Sequence, residues 1–392
     1  MACIPPVAAA DLASRMASGV DLHLFPELIK PKDDTFTTGV LPVQAIRDLV
    51  RSHRIVSEVP FEENQFQPAS IDLRLGRTAY RVQASFLPGQ FSTVDKKVRE
   101  LLMAEIDLTE PSLFEKGCVY IVPLMESLEL SPDARAKANP RSTTGRLDIF
   151  TRLITNNGVE FEYVPAGYKG KLYVEIVSRT FTVVVQAGMR LNQLRFMRGN
   201  PISNDKKLSE LDQEENLIFL DEERPGKAYI SNGLRVSVAL EGNTPSDIVA
   251  FKAKRNAPVV DLRKTDHHSP EHYWDMVRSP QSKTIVLDPG DFYILASKER
   301  IRVPPDFAAE MVAFDPAMGE FRIHYAGFFD PGFGYGVSDV KGTQAVLEVR
   351  AYELPVLLEH DQLVGRLNYY RMASTQSRCT AFPSAPRTNS RS

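Results

Sequence analysis

Short runs of β-branched and aromatic residues dominate this chain, and Gly, Pro or Asn separate them. Cys118–Leu124, Lys171–Val177, Phe181–Val185, Phe292–Ala296 and Ala345–Val349 are rich in Val, Ile, Tyr and Phe. They read as strands bounded by turns. Helical period is clearest over Pro42–His53, where Val43, Ile46, Leu49 and Val50 share one face. The pattern predicts a mainly β chain, with each half a β-barrel or jelly-roll-like sandwich carrying a few short helices.

The chain also repeats itself. Gly117, Tyr120, Ile121, Glu126, Pro132 and Asp133 recur as Gly290, Tyr293, Ile294, Glu299, Pro305 and Asp306, a constant offset of 173. The same offset carries Tyr173-Val174-Glu175-Ile176 onto Val346-Leu347-Glu348-Val349, and Leu191-Asn192-Gln193-Leu194 onto Val364-Gly365-Arg366-Leu367. An earlier strand has a looser echo, with Ala69 to Leu75 set against Ser231 to Ser237. Self-similarity at a fixed spacing marks an internal duplication. The expected division is an N-terminal extension at 1–38, a first domain at 39–198, a linker at 199–226, a second domain at 227–372 and a disordered tail at 373–392. Within the linker the charged run Asn204–Glu215 reads as a solvated face, and the apolar island Leu217–Leu220 as a stretch able to pack.

Composition narrows the function. The 392 residues are 43% hydrophobic and 25% charged, with a net charge of −3. That is ordinary for a globular protein long enough for two domains, and it offers no global field for nucleic acid. Cys3, Cys118 and Cys379 lie far apart without a CxxC, which argues against a zinc ribbon or disulfide scaffold and suits a reducing cytoplasm. No signal peptide or membrane-length apolar run is evident.

The densest chemistry is Arg141-Ser142-Thr143-Thr144-Gly145-Arg146. Hydroxyls and backbone N–H groups in such a turn can donate to phosphate oxygens while guanidinium forks neutralise charge. Upstream lies Gln67-Pro68-Ala69-Ser70-Ile71-Asp72-Leu73-Arg74-Leu75, and downstream the strand-like Gly170 to Ile176 carrying Glu175. In order and approximate spacing these three segments resemble the deoxycytidine triphosphate deaminases of the trimeric dUTPase-like superfamily, over roughly 39–198. The resemblance implies two dUTPase-like repeats and the hydrolytic deamination of dCTP to dUTP and ammonia. It implies a catalytic role for Glu175, with Ser142 and Arg146 orienting water, base and phosphates, and substrate contacts from Arg141, Ser142, Thr143 and Arg146.

Deamination at C4 of cytosine needs an attacking water and a proton for the departing ammonia. Zinc deaminases activate that water through an H-x-E … P-C-x-x-C pattern, and this sequence has neither part. A metal-free route needs a carboxylate to shuttle the proton. No cofactor is expected for the chemistry, and magnesium is expected only on the triphosphate.

The two halves depart from the family pattern in complementary ways. Pro165 stands where the family's sugar-binding Asp belongs, in Tyr163 to Tyr168. The second half keeps that hairpin in Ala326-Gly327-Phe328-Phe329-Asp330-Pro331-Gly332-Phe333, and keeps Glu348, but has Phe314 to Gly319 in place of the Arg-Ser turn. In this superfamily a site lies between neighbouring subunits. One reading is therefore a composite site, with Arg141, Ser142 and Arg146 from the first half and Ala326, Asp330 and Glu348 from the second. The other keeps Glu175 and the whole site in first-half interfaces.

Asp266-His267-His268-Ser269-Pro270-Glu271-His272 could chelate a metal, but no periodicity fixes its geometry and a polar loop is the simpler reading. Tyr273 and Trp274 beside it read as packing residues. The expectation is an enzyme that binds dCTP as a homo-oligomer, with no nucleic acid or membrane partner. The rival readings are a dUTPase or bifunctional enzyme, and a non-catalytic nucleotide-binding or scaffold protein.

Overall fold

Two large sheets and one small one make up each half among the described residues, and the large sheets of the halves use the same strand order. In the first half one sheet runs Ile149–Thr155, Lys169–Ser178, Val119–Glu129, Thr78–Val82, Leu102–Asp107. Its counterpart runs Phe321–His324, Thr343–Ala351, Phe292–Ile301, Ile248–Ala253, Trp274–Arg278. The other first-half sheet runs Tyr163–Val164, Ala134–Pro140, Arg190–Arg198, Ser70–Arg74, Phe66–Gln67, matched by Phe328–Phe329, Phe307–Met311, Leu363–Arg371, Leu234–Ser237. This mainly β architecture, repeated in the two halves, is the one the strand pattern predicts. The structure, a computed structural model, describes residues 38–242, 247–312, 327–336 and 341–374, and the backbone of 321–324.

Alternation explains why the strands pack. In Val119–Glu129, Tyr120, Val122, Leu124 and Leu128 point into the first-half core with Ile71, Leu73 and Val174. Ile121 points the other way, into a small cluster with Val82, Tyr173 and the helix residues Val94 and Val98. Two residues on opposite faces of a pleated strand cannot share a core. The predicted Pro42–His53 helix is Val43–Arg51, with Pro42 at its N-cap and Ile46 fully buried.

Two expectations are corrected. The charged run Asn204–Glu215 keeps a solvated face but is a helix and not an open linker. Asp205–Glu215 is a helix capped by Asn204, whose side chain accepts from the Lys207 N–H at 2.9 Å. Leu208 and Leu211 are buried in the second-half core beside Leu217 and Ile218. Apolar residues three apart suffice to dock one face of an otherwise charged helix. The early-strand echo is out by one residue. Leu194 pairs with Ile71 and Leu367 with Leu234, so Ile71 corresponds to Leu234 and not to Gly233. A one-residue slip would turn the buried Leu234 and Val236 outward. In the correct register Arg74 matches Ser237, and each donates its backbone N–H to an equivalent carboxylate: Arg74 to Glu126 at 2.8 Å, Ser237 to Glu299 at 2.9 Å.

The halves are joined along a continuous boundary. Val183–Val185 pairs in parallel with Val260–Asp261 of the second half. Phe181 meets Tyr273 and Trp274 edge-on, with ring centroids 5.7 and 5.8 Å apart. Tyr273 and Trp274 are thus packing residues, as expected. Residues 375–392, most of the expected tail, lie outside the described residues, while Ala373 donates to the Val40 carbonyl at 2.8 Å. Among the described residues no helix is long and apolar enough to cross a membrane.

Candidate active site

Ser142–Gly145 forms a single helical turn between Ala134–Pro140 and Ile149–Thr155. Thr144 and Gly145 are buried, and their N–H groups close the turn on the Arg141 carbonyl at 2.9 and 3.0 Å. Ser142, Thr143 and Arg146 are left exposed at its outer side. The opening N–H groups of a helical turn have no partner within it. A cleft of about 810 Å³ borders this turn, lined by Arg141, Thr143 and Thr144, by Arg190, and by Lys264 and His268 of the second half.

Behind the turn, carboxylates and guanidinium groups from both halves converge. Arg141 Nε lies 3.2 Å from Asp72 Oδ2. Asp72 is 1% exposed, and burial pushes its carboxyl up to about 6 against the pull of Arg141 and Arg190, with Asp330 adding to the rise. Asp330 is reached in turn by Arg195, whose Nη2 lies 3.4 Å from Oδ1. Arg195 is itself buried. Its Nη1 donates to the Ala309 carbonyl at 3.0 Å, and its guanidinium sits 3.9 Å from the centroid of the Phe328 ring. A buried guanidinium needs such partners, because desolvation without them costs several kcal/mol. First-half Asp72 and Arg195 thereby face the second-half hairpin.

Glu348 lies on Thr343–Ala351, opposite Ile294 on one side and the backbone of His324 on the other. It is 6% exposed, and burial pushes its carboxyl up to about 8. Arg146 pulls it down and Asp148 pushes it further up; both charges come from the first-half turn. Two residues along the same strand, Arg350 bonds to Asp148, and its Nη2 donates to Thr180 Oγ1 at 2.9 Å. The end of the phosphate-type turn is thus tied to the strand that carries Glu348.

Glu175 has a different environment. It is fully buried opposite Arg152, whose Nε donates to Oε1 at 3.0 Å and whose Nη2 donates to the same oxygen at 2.5 Å. Arg152 is stacked on Phe161, 3.6 Å from the ring centroid. The structure therefore brings Arg141, Ser142, Thr143, Arg146, Asp330 and Glu348 to one boundary, and gives Glu175 to an internal ion pair.

The two hairpins share a backbone turn, with Pro165 in the first where the second has Asp330. Tyr168 N–H donates to Pro165 at 3.2 Å, and Phe333 N–H to Asp330 at 3.1 Å. Gly167 and Gly332, at φ 73° and 85°, complete the same turn, a conformation that favours glycine. Ala326 and the run Phe314 to Gly319 lie outside the described residues.

Sequence reasoning passed over Asp72, Arg190 and Arg195 as site residues. Asp72 was visible within the strand motif. Arg195 sits in an unremarkable strand and matters only because the second half packs onto it. The Asp266–His272 segment is a loop with one short turn at Pro270–His272. Among the described residues no group of three His, Cys, Asp or Glu could hold a metal ion. His268 instead accepts from the Asp261 N–H at 3.1 Å and bonds to the Tyr273 hydroxyl at 3.1 Å.

Comparison with known proteins gives a consistent picture. A family model for the 2'-deoxycytidine 5'-triphosphate deaminase (DCD) N-terminal domain matches residues 37–200, and the corresponding C-terminal domain model matches 204–382. A "dCTP deaminase, dUMP-forming" from Nanoarchaeum equitans is 27% identical over 180 residues, 41% of this chain and 85% of that protein. A dCTP deaminase from Natronomonas pharaonis is 30% identical over 136 residues, 34% of this chain and 67% of that protein. The crystal structure of 2'-deoxycytidine 5'-triphosphate deaminase from Agrobacterium tumefaciens superposes with a TM-score of 0.82 at 46% identity, over 86% of this chain and 99% of that one.

Proposed function

The chain belongs to the deoxycytidine triphosphate deaminase family, and on that premise we propose that it hydrolyses dCTP to dUTP and ammonia at a composite site between its halves. The observation that carries this reading is the docking of the first-half turn, through Asp148 and Arg350, beside the buried Glu348 of the second half.

In this reading Arg141, Ser142, Thr143 and Arg146 hold the triphosphate, which arrives as its magnesium complex with the ion on the phosphates. Asp330, with Ala326 of the same hairpin, serves the deoxyribose and base. Glu348 is the general base. It takes a proton from water as the oxygen attacks C4, passes it to the ring nitrogen, and a further proton transfer releases the C4 amine as ammonia. A carboxyl held near 8 suits a shuttle that must both accept and return a proton near neutral pH. Glu175 is instead engaged by the Arg152 guanidinium through both Nε and Nη2.

A second reading concerns the product. Relatives named as dUMP-forming favour continued hydrolysis at the α-phosphate. Incubating the protein with dCTP and with dUTP, and following ammonia and pyrophosphate, distinguishes the cases. Ammonia alone from dCTP supports the deaminase. Ammonia with pyrophosphate supports the dUMP-forming reaction. Pyrophosphate from dUTP without ammonia from dCTP supports a dUTPase, and neither product leaves a nucleotide-binding or scaffold role.

A further inference from the structure

One link between paired strands is built differently in the two halves. In the first half it joins Thr78–Val82 to Leu102–Asp107 and contains the helix Val94–Leu101, whose Val94 and Val98 pack back on Val82, Ile121 and Tyr173. In the second half it joins Ile248–Ala253 to Trp274–Arg278 and lies on the other half instead. Val260–Asp261 pairs in parallel with Val183–Val185, and the N–H groups of Val260 and Leu262 donate to the Thr182 and Val184 carbonyls at 3.0 and 3.2 Å. From Val185 the first-half chain continues to Leu191, whose carbonyl accepts the Arg141 N–H at 3.0 Å. The second-half link is therefore fixed to the wall that holds the phosphate-type turn.

Lys264 is the cation this link brings to the cleft beside the turn, where Arg141, Thr143 and Arg190 also stand. Its backbone is placed by a turn, the Lys264 N–H donating to the Asp261 carbonyl at 3.1 Å. The Asp261 carboxylate is already engaged: Arg263 donates from Nε to Oδ1 at 2.8 Å and from Nη2 to Oδ2 at 2.7 Å. Lys264 Nζ lies 3.7 Å from Oδ2 on a side chain 49% exposed, an ion pair too long for a hydrogen bond. His268 has both ring nitrogens bonded within the link, to Asp261 and Tyr273. Neither Glu348 nor Asp330 lines this cleft. A nucleotide with its base at Glu348 and its phosphates on the turn points its far end there.

We propose that Lys264 is a further binding residue, delivered by the second half to the outermost phosphates of a nucleoside triphosphate held on the first-half turn. A compact ammonium on a flexible stem, with three donors, suits a charged end group that presents oxygens in several directions. The role rests on the reading of Arg141–Arg146 as the triphosphate turn.

Lys264→Met, Lys264→Arg and Arg141→Ala are compared with wild type by ammonia release from dCTP and by calorimetric titration with dCTP and dCMP. Lys264→Met should raise KM and Kd for dCTP at least about tenfold, the low end for a charge-assisted hydrogen bond. Its kcat should stay within about twofold, as when uniform binding is lost, and dCMP should bind as before. Lys264→Arg should restore most of the dCTP affinity. Unchanged dCTP affinity in Lys264→Met overturns the proposal. So does an equal loss for dCMP, or a Lys264→Arg variant no better than Lys264→Met. If Arg141→Ala weakens dCTP and Lys264→Met does not, only the role of Lys264 falls. A wild type that binds dCTP no better than dCMP overturns the turn's role and that of Lys264 together. Should the wild type bind dCTP without releasing ammonia, the titrations alone decide.

Discussion

Lys137 and Glu310 hold the same position in the two halves, 173 residues apart, and they bond to each other, Nζ to Oε1, at 2.5 Å. A residue that meets its own counterpart lies beside the axis relating the repeats. Identical residues there would repel, and these carry opposite charge. Glu310 is 7% exposed and also accepts from the Tyr370 hydroxyl at 2.9 Å. The pair pins the boundary on which the proposed composite site depends.

Removing the cation should therefore cost more than a surface substitution does. Lys137→Met leaves a buried carboxylate without its ion partner and should destabilise the protein by about 1–3 kcal/mol. Urea unfolding measures it. A change within about 0.5 kcal/mol, ordinary for an exposed side chain, would show that the pair contributes nothing.

Glu348→Gln and Glu175→Gln form a matched test, because each keeps the shape and removes the proton acceptor. Glu348→Gln should lower kcat at least about 100-fold, the low end for general acid–base catalysis. Glu175→Gln should act mainly on stability, through the lost charge partner of Arg152. Steady-state ammonia release gives both values. A reversed order would move the base to Glu175.

The pH dependence of stability carries its own signature. Burial holds folded Glu348 at about 8, while an unfolded Glu titrates near 4.3. Between those values the folded chain keeps a proton that the unfolded chain has lost. The contribution is complete below the unfolded value and is lost as pH rises through about 8, at roughly 1.4 kcal/mol per unit of displacement. Relative to wild type, Glu348→Gln should gain stability progressively above pH 5, and the gain should vanish by about pH 4. Melting curves from pH 4 to 9 test it; a constant difference would remove the buried acid as its cause.

Arg141 is held 3.2 Å from Asp72, so it is placed before any ligand arrives. Arg141→Ala should weaken dCTP binding by about 1.5–3 kcal/mol, the range for a charge-assisted hydrogen bond. Deoxycytidine should be affected much less. Calorimetric titration of both ligands decides it, and equal losses for the two would take Arg141 off the phosphates.

Much of this molecule is legible from local pattern. The β-branched and aromatic runs Cys118–Leu124 and Lys171–Val177 become strands Val119–Glu129 and Lys169–Ser178, because such side chains fit a pleated, half-buried surface. The phosphate-type turn stands out by residue type, and the offset of 173 displays the duplication without any coordinates. Where neighbours outvoted local signal, the reading slipped. Asn204–Glu215 looked solvated until Leu208 and Leu211 found the second-half core. The early-strand echo missed by one residue, because register is set by the partner strand.

What the sequence by itself determined was the inventory: the strands, the repeat, one turn rich in donors, and two equivalent carboxylates, Glu175 and Glu348. Which carboxylate stands beside the turn was decided only by the way the halves pack. Arg146 is 202 residues from Glu348 and 29 from Glu175, yet its charge acts on Glu348. Charge and burial act through space, and no periodicity along the chain encodes distance across a boundary between two folded halves.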